Sequence, residues 1–377
     1  MVYLDNSATS YPKPPEVRHA AAAAMYSGAN PGRSGHFLSM KSSEMIFDAR
    51  KTAADFFGVK SEENVIFTKN CTEALNIVIK GILKPGDHIV ISSLEHNSVM
   101  RPLKRLESIH VSYTEAKVFP KDNDKTVDSF RKSINARTRM ILCTHASNVW
   151  GIKLPVERIA ALAHEYGLLF ALDAAQSAGV VPINISEIKA DFLCVPGHKG
   201  LYGPMGTGML IFSGSHIPDS LIEGGTGSSS GFFEQPELLP DKFESGTPNL
   251  SGIAGLKAGM DYVSRIKVEN IAKHEFMLVT HLYKELKQIK GIHLYTPMPE
   301  PDYFVPILSF NIEGKDSESA AESLNRRNIA VRAGIHCSPA AHKSFGTENV
   351  GAVRVSPSIF TRRSEMDYFL QCVKSLT

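Results

Sequence analysis

Short apolar runs alternate with amphipathic helical stretches between residues 65 and 212, and this alternation constrains the fold more than any other feature of the chain. Helical stretches such as Thr72–Leu83 and Pro155–Tyr166 lie between apolar runs, and their apolar residues recur at helical spacing. Strands that alternate with helices predict an α/β fold with a mostly parallel sheet and helices on both faces. The predicted strands are Val65–Phe67, His88–Ser92, Met140–His145, Leu168–Leu172, Asp191–Val195 and Met209–Phe212.

The length of 377 residues predicts two domains, because a single core rarely grows past about 250–300 residues. We predict a large domain over residues 15–260 and a smaller α+β domain over residues 261–377, which residues 1–14 join. The smaller domain has a long helical pattern, two strand patterns and a closing helix, at Val268–Gln288, Val305–Ile312, Ala330–Arg332 and Ser364–Ser375. The segment Ser213–Gly252 is rich in Gly, Ser and Pro, which is typical of a flexible connection or of backbone packed around a ligand.

The composition excludes several classes of protein. A net charge of +2 argues against binding to nucleic acid or a membrane surface, and 43% hydrophobic content is ordinary for a globular chain. No apolar run approaches the roughly 18–20 residues that span a bilayer, and the N-terminus lacks a signal-peptide pattern, so we expect a cytoplasmic protein. Five cysteines without a CxxC pair argue against a disulfide framework and against a metal site.

Polar groups follow five of the predicted strands, at the edge where ligands of open α/β sheets bind. They are Thr72 after the first strand, His96, Asn148, the pair Asp173 and Gln176, and finally His198 and Lys199. Thr72 at the start of a helix is a phosphate seat or a plain helix cap. Lys199, in a glycine-rich turn, is a solvated loop lysine or a nucleophilic amine. The coincidence of five such strand ends favours a ligand site.

Together these groups have the chemistry that pyridoxal 5'-phosphate (PLP) requires. Asp173 would keep the pyridine nitrogen protonated, so that the ring acts as an electron sink. Lys199 would hold the cofactor through a Schiff base and later move protons. His96 could stack on the ring, and Gln176 and Asn148 could hydrogen-bond its oxygen. The GxGxxG and GxxxxGK[ST] signatures of nucleotide sites are absent from the sequence.

The sequence resembles the class V aminotransferase-fold PLP enzymes, and among them the cysteine desulfurase and selenocysteine lyase family of the SUF type, group II. The matching segments are Tyr3–Ser10 with Lys13-Pro14, Asn30–His36, Cys71–Ala74, Glu95–Asn97, Ser147-Asn148, Asp173–Gly179, Gly197–Lys199 and Phe243–Asn249. The resemblance implies PLP fold type I, similar to aspartate aminotransferase, with a seven-stranded sheet and a smaller C-terminal domain that carries a catalytic cysteine.

The resemblance also implies roles for single residues. The Cys71 amide, Thr72 and His198 would bind the phosphate, and Thr247 would reach the phosphate of the neighbouring subunit in a homodimer. His36, in the segment at the mouth of the active site, would bind substrate together with Asn148. Arg354 would pair with the substrate carboxylate as a bidentate fork. Two departures from the family pattern, Pro196 in place of a serine and Cys71 in place of threonine or alanine, put the phosphate affinity in question.

Cys337 lies in Arg332-Ala-Gly-Ile-His-Cys-Ser-Pro339, which we expect to be a loop. Arg332 and His336 predict electropositive surroundings that favour a thiolate. A small buried residue is the other interpretation of Cys337, but the resemblance implies a catalytic thiol that acts with Lys199 and His96. Segments Ala341–Thr347 and Gly224–Ser228 resemble a less well defined subgroup of the family.

The predicted reaction converts L-cysteine to L-alanine and leaves a persulfide on Cys337 for a sulfur-acceptor protein. A selenocysteine lyase with the same site is the first alternative. Another class V C–S lyase or aminotransferase is the second. A PLP-binding scaffold that delivers sulfur without turnover is the third, and the combination of Lys199, Asp173, Cys337 and Arg354 argues against it.

Overall fold

The computed structural model describes residues 1–32, 34–214 and 216–377. In chain order, the strands are β1 (Val2–Tyr3), β2 (Val65–Thr68), β3 (His88–Ser92), β4 (Ser112–Ala116), β5 (Thr138–Thr144), β6 (Leu169–Asp173), β7 (Phe192–Pro196), β8 (Gly208–Phe212), β9 (Ile292–Leu294), β10 (Leu308–Ile312), β11 (Ile329–Ala330) and β12 (Val353–Val355). The α-helices are α1 (Pro15–Ser27), α2 (Phe37–Phe57), α3 (Cys71–Ile82), α4 (Asn97–Leu106), α5 (Asn123–Ser133), α6 (Val156–Glu165), α7 (Ile185–Ile188), α8 (Leu250–Ile266), α9 (Val268–Leu286), α10 (Ser317–Asn325), α11 (Pro339–Ser344) and α12 (Arg363–Lys374).

A seven-stranded sheet in the order β2-β8-β7-β6-β5-β3-β4 forms the larger part of the fold. Strand β8 runs antiparallel to both of its neighbours, and the other pairings are parallel. The predicted α/β fold with a mostly parallel seven-stranded sheet is therefore confirmed. All six predicted strands form, with ends that lie within two residues of the prediction.

Strand β4 is the member of this sheet that the sequence pattern does not predict. Its sequence, Ser-Tyr-Thr-Glu-Ala, has a single fully buried residue, Ala116, at its end. The strand pairs only with β3 and forms the edge of the sheet, so most of its side chains remain partly exposed. An edge strand needs fewer apolar residues than a central strand, which is why the apolar run is missing.

The sheet has a core on each face, as continuous apolar strands require. Ile89 and Ile91 of β3 belong to one apolar cluster with Leu75 of α3, whereas Val90 belongs to another cluster with Ile159 of α6. All of these side chains are fully buried. Because successive strand residues point to opposite faces, burial on both sides leaves the strand ends as the part of the sheet that is open to ligands.

The C-terminal region has its own apolar core. Strand β1 pairs in parallel with β11, and β9, β10 and β12 form an antiparallel sheet. Leu4 joins Leu278 of α9, Phe310 of β10 and Phe369 of α12 in a third apolar cluster. We propose on this basis the division of the chain into residues 15–260 and residues 261–377 with 1–14. In the described part of the chain, no helix is both long and apolar enough to cross a membrane.

The glycine-rich segment between β8 and α8 is anchored to the large sheet through one buried ion pair. Glu244 accepts two hydrogen bonds from the guanidinium of Arg50 in α2, both at 2.8 Å, and one from the Phe67 amide of β2 at 2.7 Å. The side chains of Arg50 and Glu244 are 7% and 13% exposed. This pair therefore holds the stretch that leads to Thr247.

Replacing Glu244 by alanine is expected to lower the free energy of unfolding by about 3 kcal/mol, because it leaves the buried Arg50 charge without its partner. The measurement is urea unfolding followed by circular dichroism. Glu165→Ala is the control, since Glu165 pairs with Arg131 on the surface, where such pairs contribute at most about 1 kcal/mol. Equal losses in the two variants would contradict the anchoring role of Glu244.

Candidate active site

Lys199 and Asp173 lie at the carboxyl ends of neighbouring strands. Asp173 is the last residue of β6 and is 2% exposed, and Lys199 follows the end of β7 by three residues. Burial lowers the pKa of Lys199, and the nearby Asp173 carboxylate opposes this shift. The Lys199 amine makes no hydrogen bond to any described residue. A desolvated amine of this kind is a good nucleophile toward a carbonyl, as predicted from the sequence.

The Asp173 carboxyl is held by two donors on one oxygen. Its Oδ1 accepts a hydrogen bond from the Ala175 amide at 2.8 Å and another from the Cys71 thiol at 3.4 Å. Burial raises the pKa of Asp173, while these hydrogen bonds and the Lys199 charge lower it. The departure at Cys71 therefore has a structural consequence, because its thiol orients Asp173. Oδ2 of Asp173 has no hydrogen-bond partner among the described residues.

Helix α3 begins with donors that can hold an anion. Asn70 caps the helix, since its side chain accepts from the Glu73 amide at 2.9 Å. The interpretation of Thr72 as the helix cap is therefore wrong. Thr72 is exposed, and neither its hydroxyl nor the amides of Cys71 and Thr72 donate to another described residue. Free amides at a helix start, together with a hydroxyl, form a phosphate seat.

The imidazole rings of His198 and His96, two further residues at the strand ends, are neutral. Burial, followed by the charge of Lys199, lowers the pKa of each to about 4. The Nδ1 atom of His198 is buried without a partner among the described residues, which suits a donor to a phosphate oxygen. His96 caps α4, and its Nδ1 accepts from the Ser98 amide at 3.1 Å. Its ring orientation is therefore set by the start of the helix.

Residues 9–13 near the N-terminus hydrogen-bond to the carbonyl of the residue that precedes Lys199. The His198 carbonyl accepts from Lys13 Nζ at 2.7 Å, from the Ser10 amide at 3.1 Å and from the Thr9 hydroxyl at 3.1 Å. Burial lowers the pKa of Lys13 to about 8. Residue-by-residue reasoning from the sequence missed this contact, although these residues belong to the matched opening motif.

Arg354 on β12 is fully buried and already has partners. Its Nη2 pairs with Asp5 Oδ1 at 2.7 Å, and its Nη1 donates to the Asn148 carbonyl at 2.7 Å. Two of the five guanidinium hydrogens are therefore engaged within the chain, and the bidentate contact with a substrate carboxylate stays a prediction. Nε is buried and has no partner among the described residues, so its hydrogen remains for a ligand, together with the second hydrogen of each Nη. Asp5 is a site residue that the sequence reasoning missed.

Asn148 and Gln176 have been brought to the site, but part of each amide is engaged within the chain. Asn148 Nδ2 donates to the His336 carbonyl at 2.9 Å, and its Oδ1 accepts from the Ser338 hydroxyl at 2.6 Å. Gln176 Nε2 donates to the Ser7 carbonyl at 3.0 Å. Each nitrogen keeps a second hydrogen, and the cofactor contacts of both residues stay predictions.

Two predicted site residues, His36 and Thr247, form no hydrogen bond or ion pair with the polar residues at the strand ends. His36 caps α2, where its Nδ1 accepts from the Ser39 amide at 3.2 Å. Thr247 is exposed in the loop between Glu244 and α8. Arg33, within the predicted segment Asn30–His36, lies outside the described residues. The roles of His36 and Thr247 stay predictions.

The thiol loop, residues 332–339, presents an exposed cysteine. The Cys337 carbonyl accepts from the Asn97 amide, next to His96, at 2.8 Å, and Arg332 Nη2 lies 3.5 Å from Cys337 Sγ. The interpretation of Cys337 as a buried residue is wrong, since the residue is exposed. His336 is buried and neutral, because burial and the Arg354 charge lower its pKa far below 6.5. The expected positive charge therefore comes from Arg332, without a contribution from His336.

Glu95 is a further buried titratable group beneath the site. Its Oε1 accepts from the Ser92 hydroxyl and from the Thr144 amide, the latter at 2.9 Å, and Oε2 is buried without a described partner. Burial raises the pKa of Glu95 to about 8, although both hydrogen bonds oppose the shift. The carboxyl is therefore protonated in the folded protein at neutral pH. In the described residues, no group of His, Cys, Asp and Glu is arranged to hold a metal ion.

Glu95→Gln is expected to remove part of the loss of stability that occurs as the pH rises. In the unfolded chain Glu95 ionises above its ordinary pKa of 4.5, whereas in the folded chain it stays protonated up to about pH 8. The unfolded state thus releases its proton first, and Glu95 contributes a decrease in stability between these two pH values. Urea midpoints near both ends of this range measure the effect. Equal decreases in wild type and variant would contradict it, and Glu165→Gln on the surface is the control.

Comparison with known proteins identifies the family. The class-V aminotransferase family profile matches residues 2–369. A probable cysteine desulfurase of Methanothermobacter thermautotrophicus is 35% identical over 376 residues, which cover 97% of this chain and 92% of that protein. A cysteine desulfurase of Haloferax volcanii is 33% identical over 99% of this chain and 88% of its own length.

Solved structures give the same result. The apo cysteine desulfurase of Thermococcus onnurineus has a TM-score of 0.90 at 31% identity and covers 100% of this chain and 94% of its own. A cysteine desulfurase of Escherichia coli has a TM-score of 0.86 at 26% identity and covers 99% and 94%. The predicted fold type is confirmed by these neighbours. The chain therefore belongs to the class-V aminotransferase family, and it is similar to the cysteine desulfurases within it.

Proposed function

We propose that this protein is a PLP-dependent cysteine desulfurase that converts L-cysteine to L-alanine and receives the sulfur on Cys337. The observation that carries the proposal is the placement of an exposed thiol beside the strand ends. Asn97, which follows His96, donates to the Cys337 carbonyl at 2.8 Å. The charge of Arg332, whose guanidinium lies at the thiol, also acts on Lys199 and His96.

The residues at the strand ends fit PLP, which members of this family use. Lys199 would hold it covalently, Asp173 Oδ2 would face its pyridine nitrogen, and His96 would stack on the ring. The amides at the start of α3, the Thr72 hydroxyl and the orphaned Nδ1 of His198 would hold the phosphate. When bound, PLP supplies an electron sink for charge that develops on the substrate carbons.

The chain's own groups account for substrate binding and for proton movement. Arg354 Nε is a buried donor without a described partner, and a substrate carboxylate would satisfy it. Lys199, whose pKa is lowered by burial, takes the Cα proton as a general base. Asp5 and the Asn148 carbonyl orient the guanidinium of Arg354.

Sulfur transfer is a displacement reaction at the sulfur atom of the substrate. The Cys337 thiolate forms an S–S bond, the Cβ–S bond breaks, and its electron pair remains on Cβ. Cβ then takes a proton, and Lys199 returns the proton that it took from Cα, which gives alanine. Cβ is reduced and the sulfur is oxidised to the persulfide level. A thiol reductant or a sulfur-acceptor protein then removes the outer sulfur. The Arg332 guanidinium lies 3.5 Å from the Sγ atom that starts the reaction.

The test is incubation of the purified, PLP-loaded protein with L-cysteine and a thiol reductant. We expect alanine and sulfide in equal amounts. Formation of a keto acid, with conversion of the cofactor to its amine form and without sulfide, would instead indicate an aminotransferase and contradict the proposal. Side-by-side turnover of L-selenocysteine tests the selenocysteine lyase alternative, which is favoured if cysteine gives no sulfide.

The proposal includes a homodimer in the cytoplasm and a protein that accepts the sulfur. Exposed apolar side chains at Phe37, Phe232 and Phe233 support a subunit interface. Thr247 would complete the phosphate seat of the partner subunit, and His36 would lie at the mouth of the site. Sedimentation of the holoenzyme measures the oligomeric state.

A further inference from the structure

The segment Ala341–Thr347 contains buried polar side chains that the proposed reaction does not use. His342 is 0% exposed and Thr347 is 1% exposed. The Thr347 hydroxyl lies 2.8 Å from His342 Nδ1, and His342 Nε2 lies 3.4 Å from His336 Nδ1. The two imidazole rings are parallel within 5°, with centroids 5.6 Å apart. A chain of hydrogen bonds therefore runs from Thr347 to the residue that precedes Cys337.

The direction of each hydrogen bond in this chain follows from one end. His336 Nε2 lies 3.3 Å from the Arg332 carbonyl, which can only accept, so Nε2 carries the hydrogen. A neutral His336 then accepts at Nδ1, and His342 must donate to it from Nε2. His342, whose pKa burial lowers to about 4, accepts in turn at Nδ1 from the Thr347 hydroxyl. This contact, at 2.8 Å, is shorter than the 3.3 Å between the same hydroxyl and the His342 carbonyl. Each ring thus has a single tautomer.

The chain ends on a strained part of the backbone. His336 and Cys337 have φ values of 54° and 57°, in the left-handed region that residues other than glycine adopt only when their surroundings hold them there. Arg332 accepts from the His336 ring through its carbonyl, and its guanidinium approaches Cys337 Sγ at 3.5 Å. The His336 ring therefore joins the beginning of the thiol loop to its tip.

We propose that the hydrogen-bonded chain Thr347–His342–His336 positions the Cys337 thiol, because it stabilises the left-handed loop tip that places Sγ beside Arg332. The inference rests on the proposed desulfurase function, since it concerns how the attacking thiol is held. In the described residues, His342 and Thr347 make no hydrogen bond to the groups assigned to substrate or cofactor. They are therefore positioning residues.

The first test is His342→Gln in the PLP-loaded enzyme, with His88→Gln as the matched control. His88 is also buried, and both of its ring nitrogens contact threonine hydroxyls at 2.9 Å, but it lies at the opposite end of β3. Relative to this control, we expect kcat for L-cysteine to fall at least about tenfold while KM changes by less than about twofold. Turnover of L-selenocysteine should stay within about twofold of the control, because the weaker C–Se bond depends less on the thiol.

The second test does not depend on turnover. In the substrate-free holoenzyme, the rate at which iodoacetamide alkylates Cys337 is followed by peptide mass spectrometry. We expect His342→Gln to slow this alkylation at least about threefold, because the thiol loses its fixed place beside Arg332. Thr347→Val should change the same two readouts in the same direction. Its control is Thr126→Val, since Thr126 is equally buried and its hydroxyl also hydrogen-bonds in a helix far from the site.

Either of two results would overturn the inference. One is cysteine turnover and alkylation rates for His342→Gln and Thr347→Val that stay within twofold of their controls. The other is an equal loss of cysteine and selenocysteine turnover, which indicates a general effect on the fold. If His342→Gln does not fold, Thr347→Val alone decides between these results. Cys337→Ala in the same assays tests the proposed function separately, because retained cysteine turnover would remove the thiol from the reaction whatever the His342 variant does.

Discussion

Replacing Lys199 by alanine is expected to lower kcat/KM for L-cysteine at least about 1,000-fold, which corresponds to about 4 kcal/mol of transition-state stabilisation. The physical reason is that one amine has two tasks. Burial lowers the pKa of Lys199 and makes it a nucleophile that can hold PLP. In the proposed reaction the same amine takes the Cα proton. A methyl group at this position can do neither.

Covalent attachment provides a readout of the first task without turnover. After borohydride reduction and denaturation, the wild-type peptide with Lys199 should carry the cofactor, and the variant should release it. Lys153→Ala is the matched control, because Lys153 is also partly buried and its amine donates to the Pro301 carbonyl at 2.7 Å, outside the strand-end group. Attachment of PLP to another lysine in the wild type would contradict the assignment.

Replacing Cys337 by alanine is expected to lower L-cysteine turnover at least about 100-fold, while L-selenocysteine turnover falls by less than about fivefold. The substrate C–S bond breaks when a thiolate takes the sulfur, and no other exposed thiol occurs in the described part of the chain. Selenium is the better leaving group, so its release depends less on such an attack. The two losses should therefore differ by at least about 20-fold, which separates loss of the thiol from a general loss of activity.

Mass spectrometry of the trapped enzyme measures the intermediate directly. With L-cysteine and without reductant, the peptide containing Cys337 should gain one sulfur atom. Cys372→Ala is the control. Cys372 is buried in α12, so its replacement should leave both activities unchanged. Undiminished cysteine turnover in Cys337→Ala, or an added sulfur on another cysteine, would show that the thiol assignment is wrong.

The large sheet could be predicted because each of its central strands is buried on both faces. Val90 and its neighbours Ile89 and Ile91 must all be apolar when helices cover both sides, so the strand appears as a continuous run. Strand β4 was not predicted, for the opposite reason. It lies at the edge, where side chains such as Glu115 remain exposed and no apolar run is required.

Part of the candidate site could be predicted by the same rule. Parallel strands bring their carboxyl ends to one edge, so Asp173 and Lys199 could be assigned to one site from their positions after predicted strands. The pairing of Arg354 with Asp5 could not be predicted in this way, because it joins residues 349 positions apart. It depends on how the chain just after β1 meets the chain just after β12, where Asp5 and Ser356 form a bridge.

The sequence alone identified the family and its cofactor and predicted the reacting groups, because strand ends and local motifs are set by neighbouring residues. Only the tertiary structure decided how those groups are held. It assigned the cap of α3 to Asn70, placed the Cys71 thiol on Asp173 and made His336 a buried neutral ring. Burial and distant hydrogen-bond partners set the charge and the orientation of a side chain. Neither the burial nor the distant partners can be inferred from the residues next to that side chain in the sequence.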